Sequence, residues 1–413
     1  MRIIVHDYAG HPFQVQLSRA LAGRGHEVLH LYCGSTHTPR GELQRRPSDP
    51  AGFDIRDITL TQVIPKSSFV RRFRMEGQYG RRLVAACEDF RPEVVLSANT
   101  PSIAQHRLAR WCRRRDVRLV SWIQDIYGLA AYRLLGRKLP GVGHLVGQYF
   151  IALDKFAAQV SDAIVVISED FSDVLSRWGV SPSRIHVVHN WAPLESMPLR
   201  PSDNNWAREH GLGDGVRFVY SGTLAMKHNP ALLLELARML DRDRSGELLV
   251  VSEGAGVEWL TDRAEWENIR ALRCLGFQPF EVLPDLLGAA DVLVAILEAD
   301  AGVFSVPSKV LSYLCAGRPV LLAVPTENLA AKIVAECGAG RVVEPTDVAG
   351  FCHTAREFID SPELRGKCGA AARRYTETHF DIERITNRFE EILFGVASKG
   401  DRQTTTEAER LPA

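Results

Sequence analysis

The sequence predicts an α/β protein made of two doubly wound parallel-sheet domains. Three observations predict it. Short β-rich apolar runs alternate with helical patterns along the chain, a stretch rich in proline and polar residues interrupts this near the middle, and the alternation then restarts. The length of 413 residues exceeds what one hydrophobic core usually spans, and 46% hydrophobic against 24% charged residues provide apolar material for two.

The first run, "RIIVHDY", leads into "PFQVQLSRALAGRG", whose apolar spacing and glycine stop predict a helix, and then into "HEVLHLYC". "EVVLSAN", "RLVSWIQD" and "AIVVIS" read as further strands with polar ends and a helix behind each, and "RIHVVHN" closes the first half. The linker falls in "WAPLESMPLRPSDNN", so a first domain is expected over residues 1–195. The second domain, 196–380, contains "VRFVYSG", a helix over 229–241, "ELLVVSEG", "IRALRCLGF", a helix over 280–289, "ADVLVAIL", a further helix, "PVLLAV", a helix over 327–337 and "GRVVE". Residues 381–396, "DIERITNRFEEILFGV", place Ile382, Ile385, Phe389 and Leu393 on one helical face that needs a partner surface. Residues 397–413 are polar and aperiodic and read as a loose tail.

Composition narrows the classes of function. The eight cysteines show neither Cys-x-x-Cys nor zinc-ligand spacing, which fits buried thiols in a reducing cytosol. The N-terminus reads as a strand and not as a signal peptide, and no run approaches the ~20 apolar residues of a membrane span, so a cytoplasmic location is expected. Residues 1–190 hold 26 Lys+Arg against 17 Asp+Glu, while the remainder is acidic by the same margin. A basic half suits an anionic surface or ligand. The stretch 69–82 interleaves arginines with Phe69, Phe73 and Tyr79, which fits contact with an anionic membrane or an ordinary solvated helix face. Nucleic acid is not an expected partner, since the basic clusters match no recognition module.

Ligands of doubly wound sheets lie beyond the carboxyl ends of the strands. In "YSGTLAMKHNPALLLELARML", Gly222 ends a strand, Lys227 stands in the turn and Asn229-Pro230 open a helix. In "VPSKVLSYLCAGRPVLLAVP", Ser308 and Lys309 open another. A lysine at a helix entrance adds positive charge where the macrodipole is already positive, and an external anion resolves the conflict. Two such entrances on one sheet edge suit a diphosphate.

These stretches, with "VVSEGAG", "LGFQPFEVLPDLLGAADVLVAIL" and "ISEDFSDVLSRWGVSPSRIHVVHNW", resemble the family 4 retaining nucleotide-sugar glycosyltransferases, which have the GT-B fold of two Rossmann-like domains facing across a cleft. The branch resembled includes cell-surface and exopolysaccharide enzymes, among them bacterial N-acetylfucosamine transferases. The resemblance implies a sugar-nucleotide donor held mainly by the C-terminal domain, with UDP favoured, a hydroxyl acceptor held by the N-terminal one, and no metal ion or other cofactor. It implies donor contacts from Gly222, Thr223, Lys227, Glu253, Gly276, Phe277, Ser308, Lys309 and Ser312, and from Gly10 in the loop "DYAGHPF". Thr223 stands where many relatives have arginine. The family's two glutamates would fall at Phe304 and Ser312, neither of them acidic, which shifts the phosphate-anchoring role to Lys309. In "WIQDIYG", Gln124 replaces the relatives' histidine while Asp125 remains. Asp125 is expected to orient the acceptor hydroxyl or steady developing positive charge, with Lys227 and Lys309 taking the leaving diphosphate. A strand-end aspartate can also be a simple helix cap. A polysaccharide or glycolipid role would place the protein at the cytoplasmic membrane face with a lipid-linked acceptor. The alternatives are a soluble natural-product acceptor, a non-catalytic nucleotide- or glycan-binding GT-B protein, and a sugar-nucleotide epimerase, which would need cleft carboxylates.

Overall fold

The apolar runs become the strands of two all-parallel sheets in the computed structural model, which describes residues 1–36, 42–62, 69–213, 215–297 and 307–398. The first sheet contains β1 (Arg2–Asp7), β2 (Glu27–Cys33), β3 (Phe53–Ile58), β4 (Val94–Ala98), β5 (Arg118–Ile123), β6 (Ala163–Val166) and β7 (Ile185–Val187), in the order β3-β2-β1-β4-β5-β6-β7. The second contains β8 (Val216–Ser221), β9 (Gly246–Val251), β10 (Leu272–Leu275), β11 (Val292–Ile296), β12 (Val320–Ala323) and β13 (Gly340–Val343), in the order β10-β9-β8-β11-β12-β13. Central strands are buried on both faces and read as unbroken apolar runs. Edge strand β3, "FDIRDI", escapes the sequence reading because Arg56 and Asp57 are solvated and break its run.

In both orders the winding reverses beside the first strand of the sheet, between β1 and β4 and between β8 and β11. Such reversals leave a crevice at the strands' carboxyl ends. Residues Met1–His189 and the segment from Ile382 onward form one unit, and Asn190–Asp381 form the other.

The helix Ile382–Ala397 belongs to the first unit because its apolar face is completed there: Ile385, Phe389, Leu393 and Val396 are buried, with Phe389 4.7 Å from the Trp122 ring. Polar contacts fix its rotation. Arg24 binds the side chains of Glu383, Asn387 and Glu390, and His26 Nε2 lies 2.7 Å from Glu390 Oε1.

The helix Phe69–Phe90 corrects one expectation. Tyr79 does not offer its ring to a membrane: it is fully buried, and its hydroxyl lies 2.7 Å from His6 Nε2. A phenol in the core needs a partner, and the strand-borne imidazole supplies it. Arg72 is likewise committed, to Glu76 at 2.7 Å, which leaves Arg71, Phe73 and Arg74 as the exposed part of that turn. Burial pushes the His6 pKa down to about 3, so the ring is neutral at pH 7. Tyr79→Phe would strand His6 Nε2 and is expected to cost about 1–2 kcal/mol, seen as a lower urea midpoint at unchanged m-value.

Candidate functional site

In the second unit, β8 ends at Ser221, and Gly222 just after it takes φ +114°. A side chain there would be strained and obstructed, because a Cβ would lie 3.2 Å from Lys309 Nζ. Lys309 is the second residue of the helix Ser308–Cys315, which follows β11, so the switch point brings the two sequence-predicted elements together. The ammonium stands 3.7 Å from the centre of the Tyr220 ring. Tyr220 is held by its hydroxyl, which donates to Thr223 O at 2.9 Å. Tyr313, one turn further along the lysine's helix, donates to Ser221 O at 3.0 Å and accepts from Ser221 N at 2.8 Å, tying the helix to the strand end.

Among the described residues no carboxylate pairs with Lys309, and no side chain caps its helix. Burial brings its pKa down to about 7. A half-desolvated cation beside a close backbone approach and a helix entrance is an arrangement that can take an anion.

The other second-unit residues lie at the same carboxyl edge. Thr223 is exposed after β8, Glu253 after β9, and Gly276 and Phe277 after β10, with Phe277 42% exposed. A Cβ on Gly276 would lie 3.9 Å from Glu253 Oε1, so these two loops meet. Ser308 is exposed and Ser312 is half-buried. Lys227 lies in the helical turn Met226–His228 before the helix Pro230–Asp243, and Asn229, at φ +49°, redirects the chain between them. The Lys227 side chain and all of Phe304 lie outside the described residues.

The first unit gathers a different set. Asp7, at the end of β1, accepts from the N–H groups of Ala9 (3.0 Å) and His11, and its Oδ1 lies 3.3 Å from His11 Nδ1. Gly10, at φ +79°, allows this tight turn. The amides flanking Gly10 are therefore taken up by Asp7. Burial depresses the His11 pKa, but the Asp7 carboxylate and then Asp125 outweigh it, and the net shift is upward.

Asp125 follows β5 and is open to solvent at the mouth of a small pocket, where protein surrounds most of the carboxyl and pushes its pKa up to about 6, against a hydrogen bond from Asn99 and the charge of His11. It is not a helix cap: the next helix, Tyr127–Lys138, starts from Ile126 without a side-chain cap. Gln124 is buried, and its Nε2, like Asn99 Oδ1, has no partner among the described residues. Sequence reading missed Asp7, His11, Asn99, Tyr220 and Tyr313. The signals for His11 and Asn99 were their places just after strand ends. Nothing local marked the tyrosines, whose role comes from strand order.

Comparison with known proteins gives a consistent picture. Residues 11–191 match the family model described as a glycosyl transferase 4-like domain, and residues 202–375 match the glycosyl transferases group 1 model. No curated protein sequence matches the chain significantly. Among solved structures, the chain is similar to the sucrose-phosphate synthase of Thermosynechococcus elongatus, at TM-score 0.72 and 16% identity over 96% of this chain and 99% of that one. It is also similar to Anabaena HepE in complex with UDP-glucose, at 0.69 and 15% over 96% and 100%. WaaG, a glycosyltransferase involved in lipopolysaccharide biosynthesis, aligns at 0.67 and 15% over 95% and 100%. At such identities the likeness establishes the fold, which is GT-B.

Proposed function

The chain belongs to the family 4 glycosyltransferases, and from that premise we propose that it transfers a sugar from a UDP-sugar to a hydroxyl acceptor with retention, in cell-surface polysaccharide or glycolipid assembly of the N-acetylfucosamine-transferase type. The observation that carries the proposal is Lys309, held without a carboxylate partner among the described residues against Gly222 and the Tyr220 ring. The donor base follows the UDP-bound state of structural relatives such as HepE. An acceptor on a lipid-linked sugar at the cytoplasmic membrane face fits the basic first unit.

Roles divide by unit. Transfer breaks the bond between the anomeric carbon and the diphosphate oxygen, so negative charge grows on the leaving group and oxocarbenium character on the sugar. Lys309, Lys227 and the entrance amides of their helices stabilise that oxygen without requiring a metal ion. Asp125 receives the acceptor hydroxyl, and the Asn99 amide orients its carboxylate. In a retaining reaction the acceptor oxygen bonds to the anomeric carbon on the face the diphosphate leaves, and the hydroxyl proton passes to the leaving phosphate oxygen or to Asp125. Ser312, one turn into the lysine's helix, is within the same edge for a ribose hydroxyl, and the loops of Glu253, Gly276 and Phe277 meet the base.

Proton linkage gives the test. With a pKa of about 7, Lys309 loses its proton in the free protein as pH rises past neutrality. A diphosphate beside it favours the ammonium, so binding takes up a proton and UDP affinity should fall by up to about tenfold per pH unit above 7. The same shift opposes folding below pH 7, and this opposition fades as pH rises from 7 toward the unperturbed 10.5. Thermal-shift titration with UDP, GDP, CDP and dTDP on both sides of pH 7 reads the effect, since ligand at about 100 times its Kd stabilises by about 2.7 kcal/mol. UDP binding that is insensitive to pH would remove Lys309 from the phosphates. Tight binding with neither transfer nor donor hydrolysis would identify a binding protein instead.

A further inference from the structure

We propose that the helical hairpin formed by Tyr127–Lys138 and Val142–Val160 is a membrane-contact face that inserts an apolar tip among anionic lipid headgroups. Its two helices meet along a seam of glycines. A Cβ on Gly147 would lie 2.4 Å from Tyr132 Cα, one on Gly136 2.5 Å from His144 Nε2, and one on Gly143 would overlap Leu135 O. A seam this close has no room for large side chains, and although Leu153 is buried, much of the hairpin's apolar surface faces outward. Leu134 is 56% exposed, Leu139 60%, Val142 64%, Leu145 73% and Tyr149 50%. Five of the twelve exposed large apolar side chains among the described residues thus crowd one tip. An apolar cluster that folding leaves in water marks a surface with a partner.

Charge selects the partner. Arg133, Arg137 and Lys138 flank the tip, while the hairpin's only carboxylate, Asp154, is turned inward to accept from Gly128 N at 2.7 Å. Tyr149 continues the apolar face into a groove of about 720 Å³ that is lined by Arg81, Arg107, Arg110, Arg114 and Arg115. Glu88, the carboxylate in that groove, is engaged by Arg115 and Trp111. Exposed leucines and tyrosine beside clustered arginines, with carboxylates withdrawn, complement a bilayer surface with anionic headgroups, where acyl chains take the apolar tip and phosphates take the guanidinium groups. This places the contact on the hairpin and not on residues 69–82, whose Tyr79 and Arg72 are already committed.

Flotation of the full chain tests this with phosphatidylcholine vesicles, with and without phosphatidylglycerol, in the absence of donor and acceptor, so failure here leaves the transfer reaction untouched. The expected result is binding to the anionic vesicles alone, weakening as salt rises. Leu139→Asp combined with Leu145→Asp should reduce binding at least about tenfold, since burying each leucine is worth more than a factor of ten. Arg133→Glu should reduce it about fivefold or more and Arg71→Glu/Arg74→Glu much less, since a surface lysine or arginine contributes about 1 kcal/mol. These positions are exposed, so the fold and UDP affinity should be unchanged. The proposal is overturned if the wild-type chain ignores anionic vesicles at low salt, or if the leucine variant binds as the wild type does. It is overturned as well if the leucine variant only dissociates a dimer, which would make the tip an interface between copies.

Discussion

Lys309→Ala is expected to lower kcat/KM for sugar transfer by roughly thirtyfold to a thousandfold, the equivalent of about 2–4 kcal/mol of transition-state stabilisation. The effect is large because the ammonium sits in a half-desolvated position, beside a glycine whose missing side chain leaves the approach open. There its attraction to a leaving diphosphate is screened less than at a surface. Lys309→Met separates this role from a packing role, because it keeps an apolar stem over Tyr220 and removes only the charge. It should leave the free protein no less stable below pH 7, since a half-desolvated cation with no carboxylate partner among the described residues opposes folding there, while transfer collapses. Lys227→Ala should act in the same direction. Transfer kinetics that are unchanged in both the Lys309 and Lys227 variants would remove the diphosphate assignment.

Asp125→Asn is expected to lower transfer by about a hundredfold to a thousandfold and to abolish the acid limb of the rate profile. With a pKa of about 6, the carboxylate is mostly ionised at pH 7 and is lost as pH falls through 6, so wild-type kcat/KM should fall with it. The amide variant keeps the shape and the Asn99 contact but cannot carry charge. His11 is coupled to the same group, since its imidazole is held between the charges of Asp7 and Asp125. His11→Gln should therefore move the acid limb upward, because it withdraws a positive neighbour that favours the ionised Asp125. The pH profiles of the two variants, measured with saturating acceptor, check both points. An acid limb that survives in Asp125→Asn would assign it to another group.

Much of this protein is written locally. Each central strand is an apolar run because both of its faces are covered, so "RIIVHD", "VVLSA" and "VLVAI" are legible without knowledge of their neighbours. Strand ends and helix entrances also point to candidate ligand positions, Gly222 and Lys309 among them, while Asp125 is a candidate through the family resemblance. Helical spacing showed that the last helix needs a surface, and the structure supplied Trp122 and Arg24 of the first unit. What sequence could not contain is which ends meet. The order β10-β9-β8-β11-β12-β13 brings the residue after β8 against the helix after β11, and so sets the Lys309 ammonium over Tyr220 beside Gly222. The order β3-β2-β1-β4-β5-β6-β7 likewise gathers Asp7, His11, Asn99 and Asp125 at one edge. Periodicity tells which face of an element is covered, but not by what. Tyr79 therefore read as a surface aromatic until β1 placed His6 against it. Propensity and burial pattern act within about one turn or strand and are carried by the chain itself. The desolvation of a lysine and the pairing of a histidine depend on atoms that come together only when the sheets form.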